Sequence, residues 1–179
     1  SSVKARATRT ICHDPVTRRD EQLLSIVPRD KRQAYSMRKV IAAVADRESV
    51  FEMGARWGRS VITAFARLDG FPVAVLASDP TFLGGSWTAD ASDKARRFIQ
   101  LAELFRLPVV HLVDNPGFMI GLDAEKAATI RRGVEAMNAI YKATVPWCSV
   151  IIRKAYGVAG AAMSDHTRFQ YRFAWPSGD

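Results

Sequence analysis

Residues 108–118 read Pro108-Val109-Val110-His111-Leu112-Val113-Asp114-Asn115-Pro116-Gly117-Phe118. Pro108 to Val113 is almost wholly apolar, the pattern of a short strand covered on both faces. Asn115-Pro116-Gly117 breaks it. Helical patterns flank the run. Before it, Asp90 to Arg106 places Ala91, Ala95, Phe98, Ile99, Ala102 and Phe105 on one face. After it, Asp123 to Lys142 reads as the longest helix, with Ile130, Val134, Met137 and Tyr141 on one face. Trp147 to Ile152 reads as another buried strand. Helices alternating with buried strands imply an α/β layer with right-handed crossovers.

Outward from this centre the signals are simpler. Val61 to Leu68 reads as a strand, Asp69-Gly70 as a hairpin turn, and Phe71 to Ala77 as the returning strand. Ser36 is placed to cap a helix carrying Met37, Val40, Ile41 and Val44. Gly157 to Met163 reads as a small-residue helix start and Arg168 to Ala174 as a last strand. Residues 1–34 are charged and irregular, with Pro15 and Pro28 as breakers, and read as an N-terminal segment or interdomain linker. The run Arg29-Asp30-Lys31-Arg32 reads as solvated surface. Residues 35–179 are expected to form one domain. Both ends look like cuts, so the domain is expected to be part of a longer subunit.

The 179 residues fit one domain, and 48% hydrophobic with 25% charged residues argues against disorder throughout. No uncharged apolar run approaches the ~18 residues a membrane helix needs. The 26 Lys+Arg against 18 Asp+Glu give a net charge of +8, which favours anionic partners. No basic–aromatic interleaving of the single-strand type is visible, which argues against a nucleic-acid partner. Cys12 and Cys148 lack the spacing of a zinc site or a disulfide framework and read as free thiols. The first residues lack the apolar segment of a signal peptide.

Two loops stand out. Asp114 to Phe118 and Tyr156 to Ala162 each follow a strand and precede a helical pattern. In α/β folds the site lies at the carboxyl ends of the strands. Small residues there leave backbone N–H groups facing a ligand, as an oxyanion or phosphate requires. The competing reading is that the glycines serve packing and positive φ. His111 reads as a core residue. The sequence shows no Gly-x-Ser-x-Gly elbow, phosphate-loop lysine motif or metal-binding pair, and Gly84-Gly85 is too short for a dinucleotide fingerprint. Backbone donors are thus present without an evident side-chain acid, base or nucleophile.

In combination and order, several motifs carry a resemblance. They are Cys12-His13-Asp14-Pro15, Lys94-Ala95-Arg96-Arg97-Phe98-Ile99, Val113 to Phe118, Ile130-Arg131-Arg132-Gly133, Ile152 to Ala159, and Ala174-Trp175-Pro176. From about Cys12 to Trp175 the chain resembles the C-terminal half of the carboxyltransferase (β) subunit of biotin-dependent acyl-CoA carboxylases, such as the propionyl-CoA carboxylase β subunit. The resemblance implies a crotonase-type (ClpP/crotonase) α/β fold of strand-strand-helix units. It implies transfer of CO2 from carboxybiotin to the α-carbon of an acyl-CoA, with biotin borne on a carrier domain. The implied partners are an N-terminal carboxyltransferase domain, a biotin carboxylase/biotin carrier subunit, and further copies in a dimer or trimer of dimers. The implied location is the bacterial cytoplasm or the mitochondrial matrix. The first domain of such a subunit mainly holds coenzyme A, and the second, which this chain resembles, mainly receives biotin. By the same resemblance, the amides of Phe118, Val158 and Ala159 form the oxyanion pocket for the biotin ureido oxygen. Pro116, Gly117, Tyr156 and Gly157 line the biotin side. Two positions depart from the pattern: Val158 replaces a usual glycine, and Arg132 replaces a common histidine. Carboxyltransferases of decarboxylases and transcarboxylases share the site and are the alternative, with a basic non-catalytic scaffold as the reading of a different class.

Overall fold

The computed structural model describes residues 8–157 and 170–179. Six strands form one sheet in chain order: β1 Phe51–Met53, β2 Val61–Leu68, β3 Phe71–Ser78, β4 Val109–Asn115, β5 Trp147–Ala155 and β6 Gln170–Ala174. The pairs β1/β2 and β2/β3 are antiparallel, and β3 through β6 are mutually parallel. The hairpin between β2 and β3 turns at Asp69 and Gly70, whose φ values of 49° and 76° are those of a tight turn matched to strand twist.

Because strand side chains alternate, each strand feeds two cores. Val61, Ala74, Leu76, Val109, Val113 and Trp147 face helices α2 (Ala89–Phe105) and α4 (Thr129–Lys142). Ile62, Ala64, Val73, Val75, Ala77, Leu112 and Ile152 face helix α1 (Met37–Val44), beside Tyr35. Helix α1 starts where expected, with Ser36 Oγ accepting from Lys39 N. Helix α2 is capped by Thr88, whose hydroxyl accepts from Ala91 N at 3.1 Å. Its face is as expected except at Phe105, which is half exposed and meets Phe65 edge-on. Lys94, also on α2, is buried with its ammonium donating to Val61 O at 2.6 Å, and burial pushes its pKa down to about 8.

The reading of Asp123–Lys142 as one helix is corrected. Helix α3 spans Leu122–Lys126, Ala128 takes a left-handed φ of 54°, and α4 begins at Thr129. Among the described residues the longest helix is therefore α2. The buried face of α4 is Thr129, Gly133, Ala136 and Ile140, each one residue from the expected Ile130, Val134, Met137 and Tyr141. Ile130, Val134 and Tyr141 are exposed. Small residues win the inner face because α4 lies close over an aromatic ring, described below. Strand β1 and the short 3-10 turns Glu21–Leu24 and Leu83–Gly85 were not evident in the sequence. Arg132, the departure after Ile130-Arg131, ties α4 to α2 through Asp93 at 2.7 Å.

Candidate active site at the carboxyl ends of β4 and β5

The parallel register places the end of β4 beside that of β5, with Asn115 opposite Ala155 across an irregularity. Asp114 and Asn115 are the last residues of β4, and both are fully buried. Asp114 N donates to Ser78 Oγ at 3.1 Å, joining β4 to the end of β3. The Asp114 carboxylate accepts from Arg153 Nε at 3.1 Å and from Lys154 N at 3.2 Å, joining β4 to β5. Arg153 is itself buried; its Nη1 donates to Gln33 O at 2.8 Å, and its guanidinium lies 5.0 Å from the Tyr35 ring centre. Burial, and secondarily the Asp114 carboxylate, holds the Tyr35 phenol well above its ordinary range. Gly85 is needed here: a Cβ on it would lie 2.4 Å from Asp114 O, and its φ is +84°.

Asn115 Oδ1 accepts from Gly117 N at 2.7 Å, folding the chain back after Pro116. Gly117 has φ 127°, which a larger residue resists. Phe118 then forms an isolated parallel bridge with Trp87. Trp87 N donates to Gly117 O at 3.0 Å, and Met119 N donates to Trp87 O at 2.9 Å. That pairing uses the carbonyl before Phe118 and the N–H after it. The Phe118 N–H therefore points to the opposite side, away from Trp87. The Phe118 ring meets Trp87 edge-on at 6.1 Å and lies beneath α4, where a Cβ on Gly133 would come within 2.5 Å of Cε1. The side chain is thus an anchor, packed part-buried against the core, and the Phe118 N–H is left free of the Trp87 ladder.

Tyr156 N donates to Asn115 O at 3.0 Å, which brings the second loop against the first. Gly157 follows with φ 64°, and among the described residues nothing lies within 4 Å of where its Cβ would be. Tyr156 is part-exposed, and its hydroxyl donates to Asp179, which also pairs with Lys31. Those contacts, Lys31 first, hold the Asp179 carboxyl below its usual range. The segment 175–179 runs along β5, with Trp175 N on Ile151 O at 2.7 Å and Asp179 N on Arg153 O at 2.6 Å.

Five of the expected site residues, Pro116, Gly117, Phe118, Tyr156 and Gly157, thus lie in two adjoining loops at one end of the sheet. Val158 and Ala159 lie outside the described residues. The helix start Gly157–Met163 and positions 168 and 169 of the expected last strand also fall there, apart from Gly157. Sequence reasoning missed the supports: Ser78, Gly85, Trp87, Gly133 and the Asp114–Arg153 pair. His111 is buried, as expected, with its ring edge-on to Trp147 at 5.7 Å. Among the described residues its Nδ1 has no hydrogen-bond partner, and burial lowers its pKa to about 3. Cys12 and Cys148 are free thiols.

A biotin ureido group needs hydrogen-bond donors in a dry site reached by small residues. The residues present fit it: a Phe118 N–H directed away from its own ladder and, among the described residues, open space at Gly157 and a buried Asn115 Nδ2 without a hydrogen-bond partner. Among the described residues, no group of three or more His, Cys, Asp or Glu side chains is placed to hold a metal, and no helix is long and apolar enough to cross a membrane.

Comparison with known proteins agrees with this architecture. Residues 2–179 match the carboxyl transferase domain family. The chain is 39% identical over 167 residues to the methylmalonyl-CoA decarboxylase subunit alpha of Veillonella parvula, covering 93% of this chain and 33% of that protein. It is 37% identical over 167 residues to the propionyl-CoA carboxylase beta chain of Cereibacter sphaeroides, again 93% of this chain and 33% of that one. The transcarboxylase 12S core, solved with methylmalonyl-coenzyme A and methylmalonic acid bound, shares its fold at a TM-score of 0.89 with 34% identity, over 98% of this chain and 34% of that chain. The chain spans about a third of the length of these proteins. Its sheet is the crotonase-like fold of carboxyltransferase subunits, as the resemblance implied. With a match running from residue 2 to residue 179 and a fold shared at that level, this chain belongs to the carboxyl transferase domain family.

Proposed function

We propose that this chain is the biotin-side half of the carboxyltransferase component of a biotin-dependent acyl-CoA carboxylase, acting on a propionyl-CoA-like substrate. The observation that carries the reading is the pair of adjoining loops, with the Phe118 N–H turned away from Trp87 and Tyr156 N bonded to Asn115 O. In this role the amides of Phe118, Val158 and Ala159 would hold the ureido oxygen, and Pro116, Gly117, Tyr156 and Gly157 would line the approach. Biotin, when bound on its carrier, supplies the carboxyl group. The chain's own contribution is to hold fixed donors where negative charge develops and to exclude water there. One such donor is typically worth ~3 kcal/mol of barrier. Val158, which carries two methyl groups where glycine is usual, would narrow that pocket while keeping its amide.

A second reading has its own support. The Veillonella relative is a decarboxylase subunit, and the solved relative is a transcarboxylase. The same donors serve carboxyl transfer in either direction, so the partner subunits decide between them.

The partners proposed are an N-terminal carboxyltransferase domain, a biotin carboxylase/biotin carrier subunit and further copies of the subunit. Exposed apolar side chains on α3, on α4 and just before them support association: Ile120, Leu122, Ile130 and Val134 are all more than half exposed. The bacterial relatives favour a cytoplasmic setting. The test is carboxyl transfer from carboxybiotin to propionyl-CoA by a full-length subunit carrying this domain. Ala159→Pro, which deletes the N–H assigned to the pocket, is expected to abolish transfer while circular dichroism stays native. Full transfer by the folded variant would remove Ala159 from the site.

A further inference from the structure

Asn115 closes β4. Strand alternation sets it on the α2/α4 face with Val113, while Asp114 faces Arg153. It is fully buried, and its polar groups serve both loops. Its carbonyl accepts from Tyr156 N at 3.0 Å, which holds the second loop. Its Oδ1 accepts from Gly117 N at 2.7 Å, which holds the first. Because Gly117 N can only donate, this bond fixes the orientation of the carboxamide, with Nδ2 turned from Gly117. Among the described residues Nδ2 has no hydrogen-bond partner.

Trp87 grips Gly117 from the other side, its N donating to Gly117 O at 3.0 Å. A peptide unit is planar, so that bond turns the Phe118 N–H the opposite way. The bond from Asn115 fixes the peptide before Gly117. Together the two hold Gly117 at φ 127°, within the wide range open to a glycine. Without Asn115, the preceding peptide is free to rotate, and the loop that carries the Phe118 N–H is held from one side only. Trp87 is buried too, and among the described residues its Nε1 also lacks a partner. The two residues that grip Gly117 thus each carry an unpaired donor. A buried donor without a partner lowers stability, and an apolar residue of the same shape would avoid that loss. Residues retained against stability concentrate where function requires them.

We propose that Asn115 is a positioning residue for carboxyl transfer: its carboxamide oxygen pins the Gly117 peptide so that the Phe118 N–H stays directed at the reacting group, and the unpaired Nδ2 is the loss of stability that this hold entails. The inference rests on the biotin-side reading above and deepens it, by adding a residue to which that reading gives no role.

Asn115→Leu removes both polar atoms at nearly constant shape, and Asn115→Asp keeps the acceptor without the amide donor. In the chain without ligand, Asn115→Leu should leave the denaturation midpoint unchanged or raised, while the Gly117 amide exchanges with solvent about tenfold or more faster. The Met119 amide, bonded to Trp87 O, should keep its protection, and Asn115→Asp should restore that of Gly117. In a full-length subunit, Asn115→Leu should lower kcat for carboxyl transfer by about tenfold or more, with KM for the acyl-CoA unchanged. Asn115→Asp should support transfer at low pH and lose it as pH rises. Its carboxyl, whose pKa burial raises, then places a negative charge beside the one that develops in the reaction. An unchanged Gly117 exchange rate, an Asn115→Leu chain that is less stable or unfolded, or full transfer by that folded variant would each overturn the assignment. So would an Asn115→Asp variant inactive at every pH with Gly117 protected, which would make Nδ2 itself the working group. The biotin-side reading fails separately, if the wild-type Phe118 and Gly157 amides ignore biotin. Gly117 exchange is read without biotin and still decides what Asn115 holds.

Discussion

The loop after β4 and the loop after β5 reach the same end of the sheet but are held there by different forces. The first is anchored mainly through apolar packing. The Phe118 ring is wedged between Trp87 and the bare backbone of Gly133, and the Trp87 ladder holds the chain on either side of it. The second is anchored mainly through charge. Arg153 sits two residues before Ala155, buried, tied to Asp114 and to Gln33 O, and the exposed tip is tied through Tyr156 to Asp179. Packing holds a loop whatever the pH and salt. A buried ion pair holds it only while both partners are present, because either one alone is an uncompensated charge.

The largest expected effect follows from that asymmetry. Arg153→Met leaves the Asp114 carboxylate buried and unpaired, and should cost about 3–5 kcal/mol in chemical denaturation. The double variant Asp114→Leu/Arg153→Met should recover much of that stability. A single variant costing less than about 1 kcal/mol would show that the pair does not anchor the second loop.

Acid should come next. Folded His111 has a pKa of about 3, below its ordinary 6.5, because burial penalises its charge. Between these values the unfolded chain binds a proton that the folded chain refuses. Stability is therefore intact above pH 6.5 and falls as pH drops, by about 1.4 kcal/mol per unit until the folded pKa is reached. His111→Leu should flatten this slope. An unchanged slope would place the acid sensitivity elsewhere.

Gly133→Ala attacks the apolar anchor. Its methyl lands on the Phe118 ring, and overpacking of this kind costs about 1–3 kcal/mol. Phe118→Leu in the same chain should relieve part of the cost. A neutral Gly133→Ala would mean that the ring moves freely and the first loop is not pinned. The smallest effect is expected from Tyr156→Phe. It removes an exposed hydrogen bond to Asp179 and should leave the melting temperature essentially unchanged, since such contacts are screened by water. A clear drop would make the tip of the second loop as firmly built as the first.

The same contrast explains what the sequence disclosed. The β2–β3 hairpin, helix α1 and helix α2 were legible because local signals agree: the apolar, β-branched run from Val61, the Asp69-Gly70 turn, the cap at Ser36, and the apolar face from Ala91 to Ala102. Helix α4 was misread because burial there is decided by what lies beneath it. The Phe118 ring requires Gly133, so the small residues face inward and Ile130 and Val134 face out. The break at Ala128 carries no glycine or proline to announce it. The two loops could be picked out by their glycines, but their supports could not. Asp114 and Arg153 are 39 residues apart and Trp87 and Phe118 are 31 apart in sequence, and only strand register brings each pair together.

Biotin titrated into the 15N-labelled chain, followed by amide chemical shifts, tests the central claim most directly. The Phe118 and Gly157 amides, with those of Val158 and Ala159, should move together along one saturable curve, and Arg153→Met should remove the response of the second loop. A groove of about 600 Å3 at the opposite end of the sheet, lined by Leu24, Val44 and Leu68 among others, offers a competing location. Shifts confined to that groove, or saturable shifts that bypass Phe118 and Gly157, would contradict the account.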